Sequence, residues 1–185
     1  MRVRTYTITF MAYMTVHVLR MCLPFVQLDV EEFYQVNNQF MGIVGACTYI
    51  MIGLGYFYLV SEPIKEVLPR YLLNMSIAGA TYLLIFFFIL LEIKTTFWLI
   101  VCQIIAGFAQ SVAYAVVIRL IYQHFHPGND GMLLGIWTAS GDAGNIFSFF
   151  INTLMIYGFE WPWPSCILFA GLVTIIMAFV LRVTL

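Results

Sequence analysis

The chain has 185 residues, of which 63% are hydrophobic and only 9% charged, with a formal net charge of −1 and a mean hydropathy of +0.95. A soluble domain keeps its surface wet with about 25% charged residues, so this composition excludes a water-exposed globule and makes lipid the solvent for most of the surface. The balanced charge points to no nucleic-acid partner, and Cys22, Cys47, Cys102 and Cys166 stand singly in apolar stretches, without the spacing of a metal or redox site.

A helix needs about 20 apolar residues to cross the hydrocarbon core, and the sequence predicts six such spans. They run from about Tyr6 to Leu28, Phe40 to Val60, Tyr71 to Leu91, Phe97 to Tyr122, Met132 to Tyr157 and Pro164 to Leu181. The links are short, so residues 1–185 read as one all-α polytopic domain whose first partner is the bilayer. Charges gather in the links: Asp29, Glu31 and Glu32 after the first span, Glu62, Lys65, Glu66 and Arg70 after the second. Glu92 and Lys94 follow the third, Asp130 precedes the fifth and Glu160 the sixth, while His124 and His126 flank Phe125 just before Pro127 in a solvated loop. Orientation follows Lys and Arg alone. With both termini cytoplasmic, Arg2, Arg4, Lys65, Arg70, Arg119 and Arg182 lie on that side and only Lys94 lies opposite. The first span begins too near Met1, and runs too long, for a cleaved signal peptide, so it is expected to be retained.

The polar residues inside the spans carry the functional content. Arg20 is a charge within the first span, where it is expensive unless it faces a cavity, a partner or the bundle interior. Tyr13, His17 and Arg20 stand at i, i+4 and i+7 on one helix face. A guanidinium beside a phenol and an imidazole suits an anion, since its fork matches phosphate oxygens; snorkelling to the headgroups is the competing reading. The fourth span aligns Gln103, Gly107, Gln110 and Tyr114, and the fifth aligns Trp137, Gly141, Gly144, Ser148 and Asn152, with Asp142 and Asn145 beside them. Close helix packing alone would account for both stripes. Asp142 needs a cation, a proton or water, and would pair with Arg20 if the first and fifth spans meet. No H-E-x-x-H, G-x-S-x-G or paired catalytic aspartates occur, which argues against an enzyme, a metal or a cofactor.

The segment TYTITFMAYMTVHVLRMCLPFVQ resembles the first helix of the sugar-phosphate/phosphate exchangers of the major facilitator superfamily, the glucose-6-phosphate and glycerol-3-phosphate transporter-like carriers. Tyr13 and the His-x-x-Arg of His17 and Arg20 carry that match. GIWTASGDAGNIFSFF resembles their fifth helix through Gly135, Trp137, Gly144, Asn145 and Ile146. QIIAGFAQSVAYAVV resembles their fourth through Gln103, Gly107 and Gln110, and Glu66, Leu68 and Pro69 before Arg70 resemble the loop after their second. Departures are Met21 in place of a lysine, Ala113-Tyr114-Ala115 in place of Gly-Trp-Pro, Ser140 in place of a histidine, the added Asp142, and Glu62 and Lys65 in place of loop glycines.

The resemblance implies six transmembrane helices forming the N-terminal half of a twelve-span fold, with substrate bound between halves. It implies exchange of a phosphorylated sugar or similar small organic anion for phosphate. Arg20 would be the anchor, with Tyr13 and His17 helping and Tyr114, Ser140, Asp142 and Asn145 lining the cavity. The implied partners are a C-terminal half or a second copy, and the implied location is the endoplasmic reticulum membrane. The alternative is a truncated or degenerate relative that does not transport and serves as a membrane interaction partner.

Overall fold

A computed structural model describes residues 2–61, 67–124 and 130–184. Glu62, Lys65, Glu66, Phe125, His126 and Pro127 lie outside the described residues. Seven α-helices and one π-helical turn make up the described chain: α1 (Arg2–Phe25), α2 (Gln27–Tyr34), α3 (Asn38–Ser61), α4 (Val67–Leu90), α5 (Thr96–His124), α6 (Asp130–Thr153), the turn Leu154–Gly158, and α7 (Pro164–Thr184). Five of these helices are long and apolar enough to cross a membrane, in α1, α3, α4, α5 and α7. The chain is therefore an integral, multi-pass membrane protein. The fifth expected span is the 24-residue α6, but its polar stripe leaves it outside that apolar group.

The first span ends earlier than its hydropathy suggests. Pro24 sits in the last turn of α1 and brings no N–H to the carbonyl four residues back, that of Arg20. The chain bends at Val26 and restarts as α2, whose Val30 and Tyr34 are buried while Asp29 and Glu32 face out. The acidic link is thus a short amphipathic helix. It stops at Gln35, which takes a left-handed backbone (φ 54°), and the Val36 N–H donates to the Glu31 carbonyl at 3.0 Å.

Small residues set how the long helices meet. α1 packs against α5, α6 and α7, α4 against α5 and α7, and α3 chiefly against α5. A Cβ at Gly107 would lie 2.5 Å from the Thr48 carbonyl oxygen, and one at Gly79 would lie 2.7 Å from that of Gly171. At the α1–α6 contact the Gly144 position abuts the Met14 carbonyl and lies 2.7 Å from His17 Cβ. Ser148 Oγ donates to the Val18 carbonyl at 3.3 Å, and Asn152 Nδ2 to Ser148 Oγ at 3.3 Å. Residues 14 and 18 of α1 thus meet residues 144 and 148 of α6, so the two helices run parallel. The stripe Trp137–Asn152 on α6 is a helix-packing face.

One apolar cluster joins Leu19, Cys22, Tyr82, Ile85, Leu99 and Ile167 toward α2; a second joins Val16, Tyr71, Met75, Trp137 and Leu181 toward the termini. Cys22, Cys102 and Cys166 are buried and unbonded to one another, consistent with packing residues. In the second cluster the Tyr71 hydroxyl donates to the Ala12 carbonyl at 3.1 Å. Tyr71→Phe should keep the ring's packing and lose about 0.5–1.5 kcal/mol, read as a small drop in thermal midpoint in detergent.

Candidate functional site

The functional candidates converge on the face of α1 between α3, α5 and α6. Tyr13, His17 and Arg20 share that face because their spacing winds them into one stripe. The Tyr13 ring lies 4.9 Å from His17 edge-on, 4.9 Å from Trp137 and 5.7 Å from Tyr114, and Tyr114 and Trp137 lie 6.1 Å apart. Tyr114 is partly exposed and Trp137 is buried. A four-ring aromatic cluster therefore stands below Arg20, toward the termini.

Arg20 has no carboxylate partner among the described residues. Its Nε donates to Gln110 Oε1 at 3.3 Å, and its guanidinium carbon sits 5.9 Å from the centroid of the Tyr49 ring. Because an arginine only donates, it fixes which end of the Gln110 amide is the oxygen. The amide nitrogen, on a side chain only 1% exposed, then has no partner among the described residues. Arg20 also lines a partly open cleft, together with Gln27, Thr48, Tyr49, Tyr82 and Gln103. Arg20 is thus half-buried, facing Gln110 and this cleft.

His17 Nδ1 lies 3.1 Å from Asn145 Oδ1. If that oxygen accepts, the proton sits on Nδ1 and Nε2 of the neutral ring is left as an acceptor. Nε2 is buried without a partner among the described residues, as are Trp137 Nε1 and Ser140 Oγ. Leaving a buried polar group unpaired costs about 1–3 kcal/mol, so the unpaired Gln110 and His17 nitrogens beside Arg20 favour a site that meets a polar ligand over a finished packing core.

Five of the seven candidates thus come together: Tyr13, His17, Arg20, Tyr114 and Asn145. Ser140 is fully buried within α6, while Asp142 projects outward on that helix. The expected Arg20–Asp142 pair does not form. In the parallel α1–α6 register, Asp142 falls level with Ala12, eight residues below Arg20, or about 12 Å of helical rise. Gln110 was visible only as part of a stripe, and Tyr49 and Tyr56 carried no motif. Their signal is spacing, since i and i+7 on α3 share a face; Tyr56 lies within electrostatic reach of both Tyr13 and Arg20. No described His, Cys, Asp and Glu residues group as metal ligands.

Two curated proteins of Arabidopsis thaliana share short stretches with the chain. Putative glycerol-3-phosphate transporter 1 is 30% identical over 71 residues, 38% of this chain and 14% of its own length. Putative glycerol-3-phosphate transporter 2 is 29% identical over 66 residues, 35% of this chain and 13% of its own length. The chain thus matches only a small part of either relative. Residues 5–185, nearly the whole chain, match the Major Facilitator Superfamily. A polytopic helical chain with most of its polar side chains gathered on inner helix faces, and with this match along its length, belongs to the Major Facilitator Superfamily.

Proposed function

We propose that this chain forms one six-helix half of a carrier for a phosphorylated sugar or similar small organic anion, exchanged for phosphate. In this reading α6 is the sixth span, both termini are cytoplasmic, and a C-terminal half or a second copy supplies the other wall of the pathway. The observation that carries it is Arg20: an inward guanidinium held by an amide rather than by an acid, with its charge left for a ligand. Tyr13, His17 and Asn145 supply aromatic and polar walls, and Tyr114 faces the open side. Ser140 and Asp142 enter the same proposal as lining residues nearer the termini. The names of the Arabidopsis relatives favour glycerol 3-phosphate as the first compound to try.

The test is binding of radiolabelled glycerol 3-phosphate and of phosphate to the purified chain in nanodiscs, followed by uptake into phosphate-loaded proteoliposomes. Arg20→Ala should lower binding at least tenfold, because it removes the charge-assisted hydrogen bonds. Equal binding by the two forms would overturn the assignment. Binding without uptake would favour a non-transporting relative over a working carrier.

A further inference from the structure

The end of the bundle opposite the termini holds a second pocket, which shares no lining residue with the Arg20 cleft and is unused by the proposed transport site. It is an open pocket between the end of α4, α2 and the start of α7. Phe33, Phe86, Ile89, Trp163 and Leu168 form its apolar walls, and Glu92 lies on its lining. It sits where α4 ends at Leu90 and α7 begins at Pro164, so it lies at the boundary between hydrocarbon and headgroups. Trp161 and Trp163 stand at that boundary, as amphipathic rings do.

The rim carries two opposite charges from one short connection. Glu92 takes a left-handed backbone (φ 55°) as α4 stops, with the Ile93 N–H donating to the Phe88 carbonyl at 2.9 Å. That turn fixes Glu92 on the pocket. Two residues on, Lys94 Nζ lies 5.7 Å from the centroid of the Phe33 ring, which is itself a pocket wall. Asp29, Glu31, Glu32 and Glu160 add negative charge at the same end, so a purely anionic occupant would be repelled overall. An apolar slot at the bilayer interface with a cation and an anion at its mouth fits one class of molecule.

We propose that this pocket binds a zwitterionic phospholipid with a primary ammonium head. One acyl chain lies along Phe86, Ile89 and Leu168, the phosphate meets Lys94, and the ammonium donates to Glu92. The site depends only on membrane insertion and stands whether or not Arg20 binds an anion.

The experiment is fluorescence quenching in vesicles by lipids brominated on the acyl chain. The full chain retains Trp163, with Trp98, Trp137 and Trp161 changed to Phe. Brominated phosphatidylethanolamine, phosphatidylcholine or phosphatidylglycerol is added at one low mole fraction to unbrominated phosphatidylcholine. Trp163 quenching should be at least twofold greater with the ethanolamine lipid than with either other. Glu92→Gln and Lys94→Gln should each bring it down to the phosphatidylcholine level, while quenching in fully brominated phosphatidylcholine stays unchanged and reports a folded, inserted protein. Equal quenching by the three headgroups would show ordinary lipid contact and overturn the proposal. Strongest quenching by phosphatidylglycerol would overturn it as well, since Lys94 alone would then be the determinant.

Discussion

Gly144→Leu should separate α6 from α1 and lower the thermal midpoint by roughly 6–12 °C. The new Cβ would collide with the Met14 carbonyl and stand 2.7 Å from His17 Cβ. The first of these is backbone and cannot swing aside without disturbing the hydrogen bonds of α1. Overpacking usually costs about 1–3 kcal/mol, and a backbone collision belongs at the upper end. For a chain of this size each kcal/mol shifts the midpoint by about 2–4 °C, which gives the range above. Gly135→Leu on the same helix is the matched control, because nothing lies within 4 Å of its Cβ position; it should change stability by no more than about 0.5 kcal/mol. A thiol-reactive dye can follow both, since buried Cys22, Cys102 and Cys166 become reactive only on unfolding. Equal shifts for the two variants would mean that Gly144 is not a close-packing contact. The same displacement would pull Asn145 from His17, so a partly folded Gly144→Leu protein should also lose ligand binding.

The transmembrane architecture was legible because apolar length is a property of composition, and five of the six expected spans stand as long apolar helices. α6 was recognisable by motif but is weak in hydropathy for a physical reason. The serine, asparagine and glycines that dilute it make its contact with α1, as in the Ser148 bond to Val18. Helix ends were less readable. Gln35 and Glu92 both take left-handed backbones without glycine to announce the stop, and Pro24 broke a hydrophobic run that continues to Leu28. The α1 face of Tyr13, His17 and Arg20 followed from helical spacing. Its partners did not, because the meeting of Arg20 with Gln110 depends on which helices are neighbours. The Arg20–Asp142 pairing failed on register: the two helices do meet, but parallel and offset, so opposite charges on adjacent helices end a dozen ångströms apart in height.

Gln110→Glu should abolish anion binding while leaving the fold intact. The substitution keeps the side-chain shape and turns the amide oxygen that accepts from Arg20 Nε, at 3.3 Å, into a carboxylate. At an effective dielectric near 20, unit charges about 4 Å apart attract by about 4 kcal/mol. That attraction must be given up before Arg20 can serve another anion, which corresponds to a loss of up to about a thousandfold in affinity. Gln110→Met removes the same hydrogen bond without adding a charge. It should weaken binding only about tenfold, because a hydrogen bond to a charged group is worth about 1.5–3 kcal/mol and only part of that positions Arg20. The order wild type, Met, Glu is therefore the diagnostic, measured by titrating phosphate and glycerol 3-phosphate in nanodiscs. Thermal midpoint serves as the second readout. Gln110→Glu should hold or raise it, since the new carboxylate pairs with a cation already inside the bundle, whereas Gln110→Met should lower it by leaving Arg20 less well held. If Arg20 serves only to anchor α1 at the headgroups, the glutamate would change stability and leave ligand affinity where it was. A loss of affinity at unchanged or higher stability is an outcome that only an anion site predicts.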